Sequence, residues 1–434
     1  MTATLISLLL AGLGMEILLL MLPAVMRGRA AETVVLLLLT GLFYIVCCFL
    51  VLRIPNAGAD DRRLIWLILA LAILFRVTVW PLSPALSDDV YRYRWEGKLQ
   101  AHGGNPYQAR PNDPEWTHLR DATFPLVVAK DFKAGYGPLT ESIQHLTYRL
   151  VSSATDDPFR QVFWFKAPAA LADLAILAVL WQLLAAHGLG GARLLIYAWS
   201  PLPVMEFWAT GHNDAIAVLF VLLTLLAAAR NRWVLSFTCV TLAAAAKLWP
   251  LLLLPVLVGW RNGRPLRPRQ WLISLPVALL FALPYWSDVT ENARFMSGFM
   301  GGWRNNDSLY GFLLWATGDP YHAKYLAFAL AGAVVAWVTY RGLKLELAVL
   351  ISITALLMLS ANVHPWYLTW ILPLLALIPH PALLTWTVLA PLSYEALLAW
   401  HALGEWNGVS PMRFAIYLPV YGLLIGRWMR KPVG

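Results

Sequence analysis

The chain alternates long apolar runs with short polar connections, and the runs recur at about 18 residues or more, enough to cross a hydrocarbon core. Read this way, spans fall near 5–26, 32–52, 64–82, 164–186, 194–209, 214–229, 233–246, 248–260, 271–286, 321–340, 345–363, 366–379, 382–400 and 412–428. That makes about fourteen. The first run, Leu5 to Met26, has no basic segment before it and is too long for a secretion signal, so it is read as a span. Residues 233–246 and 248–260 are read as two helices, because Arg230 and Arg232 precede them and Arg261, Arg264, Arg267 and Arg269 follow. Long alternating strands are missing, which argues against a β-barrel. The expected fold is an all-α polytopic membrane protein forming a single domain over 1–434. Three spans lie in 1–83, a large outer loop with amphipathic helices occupies 84–163, and 164–434 holds the remaining spans and a second outer loop at 287–320.

The first long polar stretch is SDDVYRYRWEGKLQAHGGNPY, residues 87–107. Asp88 and Asp89 stand where the third apolar run stops. The spacing then predicts a helix to Gln100, with Asp88, Arg92, Trp95 and Leu99 on one face and Asp89, Tyr93 and Glu96 on the next. Gly103-Gly104 ends it and Asn105-Pro106 turns the chain. This helix is expected to lie in the membrane interface. A second one begins at Leu139 in GYGPLTESIQHLTYRLV, with Leu139, Ile143, Leu146 and Leu150 forming an apolar stripe.

Composition agrees: 59% of the residues are hydrophobic and 13% charged, which no ordinary soluble domain shows. The net charge of +9 invites a nucleic-acid reading. Yet the basic residues cluster in short connections on one side, about fifteen Lys and Arg against about four on the other. That asymmetry puts both termini in the cytoplasm and turns 84–163 and 287–320 outward, to the periplasm or cell exterior. Cys47, Cys48 and Cys239 lie within apolar runs and carry neither metal spacing nor a disulfide framework.

The same topology gathers the other polar motifs at the outer face. They are His212-Asn213-Asp214, Lys247 in AAAAKLWP, Trp303-Arg304-Asn305-Asn306-Asp307, and Asn362, His364, Trp366 and Tyr367 in SANVHPWYLTW. Polar groups near lipid are costly, so their convergence argues for a site. A carboxylate there can deprotonate an acceptor hydroxyl, while cations hold the phosphate of a lipid-linked donor and stabilise it as it leaves. Each candidate has a plainer alternative. Ser87-Asp88-Asp89 or Asp214 could cap a helix, Lys247 could snorkel from a span end, and His364 could cap a helix end before Pro365. No Gly-rich phosphate loop or Rossmann pattern is present, which argues against a soluble nucleotide-sugar donor.

The motifs SDDVYRYRWEGKLQAHGGNPY, GYGPL, GHNDAIAVL, AAKLWPLLLLP, WRNNDSLYG and NVHPWYLTW resemble the motif series of integral-membrane GT-C glycosyltransferases. The resemblance runs over roughly 80–430 and is nearest to glycosyltransferase family 87 and related polyprenol-phosphate-mannose-dependent mannosyltransferases. It implies a hexose, mannose above others, passing with inversion from a polyprenyl-phosphate donor to a glycan, glycolipid or protein hydroxyl outside the plasma or inner membrane. Asp88 takes the base role by this resemblance, with Asp89 its rival. Lys247, His364, Arg304 and Arg92 would meet the donor phosphate. Tyr91, Trp95, His212, Asn213, Asp214, Trp303, Asn305, Asn306, Asp307, Trp366 and Tyr367 would line the substrates. One departure stands: the large loop follows the third span here rather than the first. No cofactor is required by the sequence and no nucleic-acid partner is expected; a divalent metal shared by Asp88 and Asp89 is the open alternative. A secondary transporter fits the span number equally well, but no internal repeat or mid-membrane charge pair supports it. A lipid-linked oligosaccharide ligase or polymerase is the rival within enzymes.

Overall fold

The computed structural model describes residues 2–25, 29–54, 61–259, 272, 276–277, 303–403 and 408–429. Among these residues the chain is helical, with one isolated parallel bridge between Asn305 and Asn362. The principal helices are α1 (Thr2–Val25), α2 (Ala30–Leu52), α3 (Arg62–Val79), α4 (Asp89–Ala101), α5 (Pro138–Ser152), α6 (Pro158–Trp164) and α7 (Ala167–Ala186). They continue as α8 (Asp214–Ala229), α9 (Trp233–Ala246), α10 (Leu309–Thr317), α11 (Pro320–Tyr340), α12 (Leu345–Met358) and α13 (Met412–Met429).

Four stretches among the described residues are long and apolar enough to cross a membrane: Ala3–Ala24, Ala30–Leu52, Pro158–Ala186 and Pro320–Tyr340. Shorter apolar helices accompany them at Asp214–Ala229, Trp233–Ala246, Trp249–Gly259 and Leu345–Met358. Three expected spans are not continuous helices, and proline is the cause each time. Residues 194–209 divide into Leu195–Ala198, Pro201–Pro203 and a π turn at Val204–Ala209. Residues 366–379 become a 3₁₀ turn at Pro365–Trp370 and a helix at Leu372–Leu377, with Pro373 at the join. Residues 382–400 run as Pro381–Leu389, a 3₁₀ turn at Ala390–Glu395 containing Pro391, and Ala396–Leu403. The expected pair at 233–246 and 248–260 is broken at Lys247, where the backbone is extended, and resumes as Trp249–Leu253 and Leu254–Gly259. The span expected at 271–286 and the arginines at 261–269 lie outside the described residues, apart from 272, 276 and 277.

The chain folds as two compact units. The first comprises Met1–Leu82, Leu180–Met205 and Gly301–Gly434. Its proline-broken stretch leaves helical carbonyls unpaired in an apolar interior, where each needs a donor. Buried side chains supply them: Tyr44 Oη donates to Ile196 O at 2.6 Å and Arg76 Nη1 to Ala198 O at 2.7 Å. Trp199 in turn donates its indole N–H to Ile68 O at 2.9 Å, tying the stretch to α3.

The second unit comprises Ser83–Val179 and Glu206–Met300. At its centre stands α4, buried from Val90 to Gly97 although it carries Arg92, Arg94 and Glu96. The expectation of an interfacial α4 is therefore corrected: its charges are satisfied inside the unit. Arg92 pairs with Glu96 at 2.6 Å and donates to Ala129 O and Phe132 O, both at 2.8 Å. Arg94 and Lys98 share Asp121 at 2.9 and 2.8 Å. Although burial alone raises Asp121, the hydrogen bonds from Arg94, Lys98 and Thr123 hold it well below the usual carboxylate range. Helix α5 packs on α4 through its polar side: Thr140, Glu141, Gln144 and Tyr148 are buried while Leu146 and Leu150 are exposed. The apolar stripe read from the sequence thus faces out of the unit, the orientation an interfacial helix takes toward lipid.

Gly97 sets the α4–α5 approach, since a Cβ there would lie 2.4 Å from Gln144 O. Gly97→Ala should therefore push the two helices apart and destabilise the protein by about 1–3 kcal/mol. Thermal unfolding in detergent measures this, and an unchanged midpoint would contradict the close packing.

Candidate active site

Asp89 opens α4 with its side chain about 25% exposed. Its Oδ2 collects the contacts. The hydroxyls of Tyr136 and Tyr93 donate to it at 3.3 and 3.4 Å, and His212 Nδ1 lies 3.7 Å away. Burial raises the Asp89 pKa to about 6, against the lowering effect of Lys247 and the Tyr136 hydroxyl; the neighbouring Asp214 and Asp88 add to the rise. Asp88, at the N-cap position, makes no side-chain cap hydrogen bond. Ser87 Oγ instead accepts from Asp89 N at 3.3 Å, so the side-chain capping contact at this helix start comes from Ser87 and leaves the two carboxylates out of it.

Backbone contacts at the GYGPL segment explain how Tyr136 reaches this place. Asn105 Oδ1 accepts from Tyr107 N at 2.9 Å, turning the NPY segment so that Tyr107 Oη donates to Tyr136 O at 2.7 Å. The next residue, Gly137, lies directly on the end of α9: its N–H donates to Ala246 O at 3.1 Å, and a Cβ would sit 2.2 Å from Ala245 O. Thr140 Oγ1 also donates to Ala246 O, at 2.9 Å. These bonds occupy a carbonyl that the broken α9 leaves without a helical partner. They fix Tyr136 and Lys247 relative to each other.

Lys247 Nζ meets Asp214 Oδ1 at 2.7 Å, with the Asp214 side chain buried. Asp214 is the first residue of α8 and Asn213 occupies the N-cap without a side-chain cap bond, so Asp214 is an ion-pair partner rather than a cap. Nor is Lys247 simply a snorkelling side chain. His212 enters from a turn in which Gly211 adopts φ +78° and His212 N donates to Glu206 O at 2.8 Å. The second unit thus brings together Asp88, Asp89, His212, Asn213, Asp214 and Lys247 from the sequence-derived set. Asn213 contributes through its backbone, which bonds the Tyr93 hydroxyl.

Other residues of that set do different work. Arg92 is committed to Glu96 and loop carbonyls, and Trp95 packs on Phe124 at 5.0 Å. Tyr91 is buried in the same hydrophobic cluster as Trp95.

In the first unit, WRNND and SANVHPWY meet through the Asn305–Asn362 bridge, with Asn305 N donating to Ala361 O at 3.0 Å and Val363 N to Asn305 O at 2.8 Å. Asn362 Nδ2 donates to Trp303 O at 2.7 Å, and Asn306 Nδ2 to Val363 O at 3.3 Å. His364 Nδ1 and Asn305 Nδ2 lie 3.1 Å apart, and the imidazole stacks on Trp366 at 4.3 Å, with Tyr367 at its edge. Buried Asp307 holds two partly exposed arginines, Arg304 at 2.5 Å and Arg413 at 2.7 Å. Two guanidinium groups on one carboxylate leave a net positive centre suited to an anion.

Sequence reasoning missed Tyr136, Glu206 and Arg413 as site residues and left Tyr93 unassigned. Tyr93 carried a signal, lying one turn after Asp89 on the same face. Tyr136 sits within the GYGPL motif, whereas Arg413 was only one basic residue at the start of the final span. Among the described residues no group of three or more His, Cys, Asp or Glu side chains gathers as a metal site.

A family model described as alpha-(1->6)-mannopyranosyltransferase, N-terminal domain, matches residues 4–262, more than half of the chain. The chain belongs to this family, and its apolar helices make it a membrane mannosyltransferase. The matched residues contain the Asp89 centre but end before WRNND and NVHPWY. No curated protein and no solved structure matches the chain.

The Lys247–Asp214 pair yields a stability prediction. Lys247→Met leaves the buried Asp214 carboxylate without its partner and should cost about 3 kcal/mol. Adding Asp214→Leu should recover most of that loss. Thermal unfolding of the single and double variants measures both effects, and additive losses would contradict the pairing.

Proposed function

We propose that this mannosyltransferase passes one mannosyl residue from a polyprenyl-phosphate donor to a sugar hydroxyl, with Asp89 as general base. The observation that carries the assignment is the fixing of Asp89 Oδ2 by Tyr93 and Tyr136, while the side chain stays partly exposed and its pKa rises to about 6. A base works best when its pKa lies near the operating pH, and an ordinary aspartate lies well below it. Asp89 therefore replaces Asp88 as the preferred base, with Asp88 beside it as a second negative charge that keeps it basic.

In the proposed step the acceptor hydroxyl attacks the anomeric carbon as its proton passes to Asp89. The bond from that carbon to the phosphate oxygen breaks, and polyprenyl phosphate leaves with the bonding pair. Attack from the far side inverts the centre, turning a β-linked donor into the α linkage that the family's description carries. The description also points to a 6-hydroxyl as acceptor. Lys247 supplies the positive charge that keeps Asp89 ionised against Asp214 and Asp88. The Arg304–Arg413–Asp307 centre of the first unit is suited to an anion by its own chemistry, because guanidinium groups bind phosphate in paired geometry. Exposed Trp303 is suited to a sugar or a prenyl chain, whereas Trp366 is buried against His364 and Tyr367 stacks on Trp370. The GT-C relationship, the about fourteen spans, the cytoplasmic termini and the outward-facing site complete this reading and rest on motif resemblance and basic-residue asymmetry.

Asp89→Asn should lower turnover by about two orders of magnitude or more, with expression and thermal stability nearly unchanged. Asp88→Asn should cost much less. The assay uses a short-chain polyprenyl-phosphate mannose donor and octyl α-mannoside as acceptor. Addition of a single hexose supports the transferase, block transfer supports the ligase, and full activity of Asp89→Asn would remove Asp89 from the chemistry.

Because the base acts deprotonated, kcat/KM should fall about tenfold per pH unit below pH 6 and level off above it. A profile still flat down to pH 4.5 would contradict the raised Asp89 pKa.

A further inference from the structure

Behind Asp89 lies a second carboxylate, reached through one ring. His212 is buried, with Nδ1 3.7 Å from Asp89 Oδ2 and Nε2 3.5 Å from Glu206 Oε2. Glu206 is buried as well. Each ring nitrogen therefore faces an oxygen that, when ionised, can only accept a proton. At these separations the ring is placed for charge attraction to the two carboxylates rather than for hydrogen bonding, and Glu206 Oε2 also accepts from Thr210 Oγ1 at 3.3 Å. The backbone bond from His212 N to Glu206 O and the left-handed Gly211 fix the ring between the two acids.

The geometry points to His212 as a positioning residue: a cation held by Glu206 that orients Asp89 Oδ2 and keeps the carboxylate ionised, leaving Oδ1 to face the acceptor. This inference rests on the reading of Asp89 as base. It gives His212 a task different from sugar contact, since a ring buried between two acids presents no face to a substrate.

Other charges around this pair are accounted for. Lys247 pairs with Asp214, and Asp88 adjoins Asp89 in the chain. The Lys166 side chain packs against Gly211, with its amine 4.7 Å from the Phe163 ring centroid. Asp173 accepts the Trp208 indole N–H at 2.8 Å. The hydroxyls of Tyr93 and Tyr136 complete the set facing Asp89.

The test compares pH profiles of kcat/KM for the native enzyme, His212→Gln and His212→Lys, with the same donor and octyl α-mannoside. Losing a cation close to a partly exposed carboxylate should move the acid limb of His212→Gln upward by about half a unit to one unit. His212→Lys keeps a positive charge and should bring the limb back. A structural role alone would lower turnover without moving the limb. A limb in the native place for well-folded His212→Gln therefore overturns the inference. If His212→Lys does not fold, His212→Gln alone decides. Inactive Asp89→Asn together with an unmoved limb in His212→Gln would sink the role of His212 and leave the base reading intact. An active Asp89→Asn would sink the base reading itself.

Discussion

A carboxylate kept partly out of water is the constraint around which the second unit is arranged. Burial disfavours the charged form of Asp89, and nearby Asp88 and Asp214 add to that cost. The charge of Lys247 and the Tyr136 hydroxyl offset part of it, leaving the Asp89 pKa raised to about 6. An aspartate with this balance can take a proton from a sugar hydroxyl, which an ordinary surface aspartate does poorly.

The scaffold that sustains the balance is mostly backbone. Tyr136 is held by the NPY turn and by Gly137 lying on the last carbonyls of α9, and the same carbonyls precede Lys247. Lys247 is therefore placed by a helix that breaks where Gly137 and Thr140 can supply the missing donors. Around this, α4 carries a polar core in which Arg92, Arg94 and Lys98 are each paired, so that a charged helix can be buried. The first unit repeats the device with a different chemistry: a buried acid, Asp307, holds two arginines, and an asparagine bridge carries the histidine–tryptophan stack beside it.

Much of this was legible in the chain itself. Apolar run lengths give the helical, membrane-spanning character, and the α2, α8, α9, α11 and α13 ranges lie close to the apolar runs that predict them. Where prolines recur, as at Pro201, Pro203, Pro373 and Pro391, hydropathy still reads a continuous span but the backbone cannot continue as one helix. Adjacent acids after an apolar run mark the site, yet the choice between Asp88 and Asp89 depends on which one the tertiary fold surrounds with Tyr136 and His212. Those residues lie 47 and 123 positions away from Asp89 in the chain. Periodicity also misjudged α4, because it sees charge on a helix but not the Glu96, Asp121 and carbonyl partners that allow it to be buried.

The most direct measurement of the central claim is an experimental structure with a non-hydrolysable polyprenyl-phosphonate mannose analogue and octyl α-mannoside bound together. The account predicts the acceptor 6-hydroxyl within about 3 Å of Asp89 Oδ1, with Oδ2 still held by Tyr93 and Tyr136. An acceptor hydroxyl seated on Asp88, or on neither acid, would contradict it.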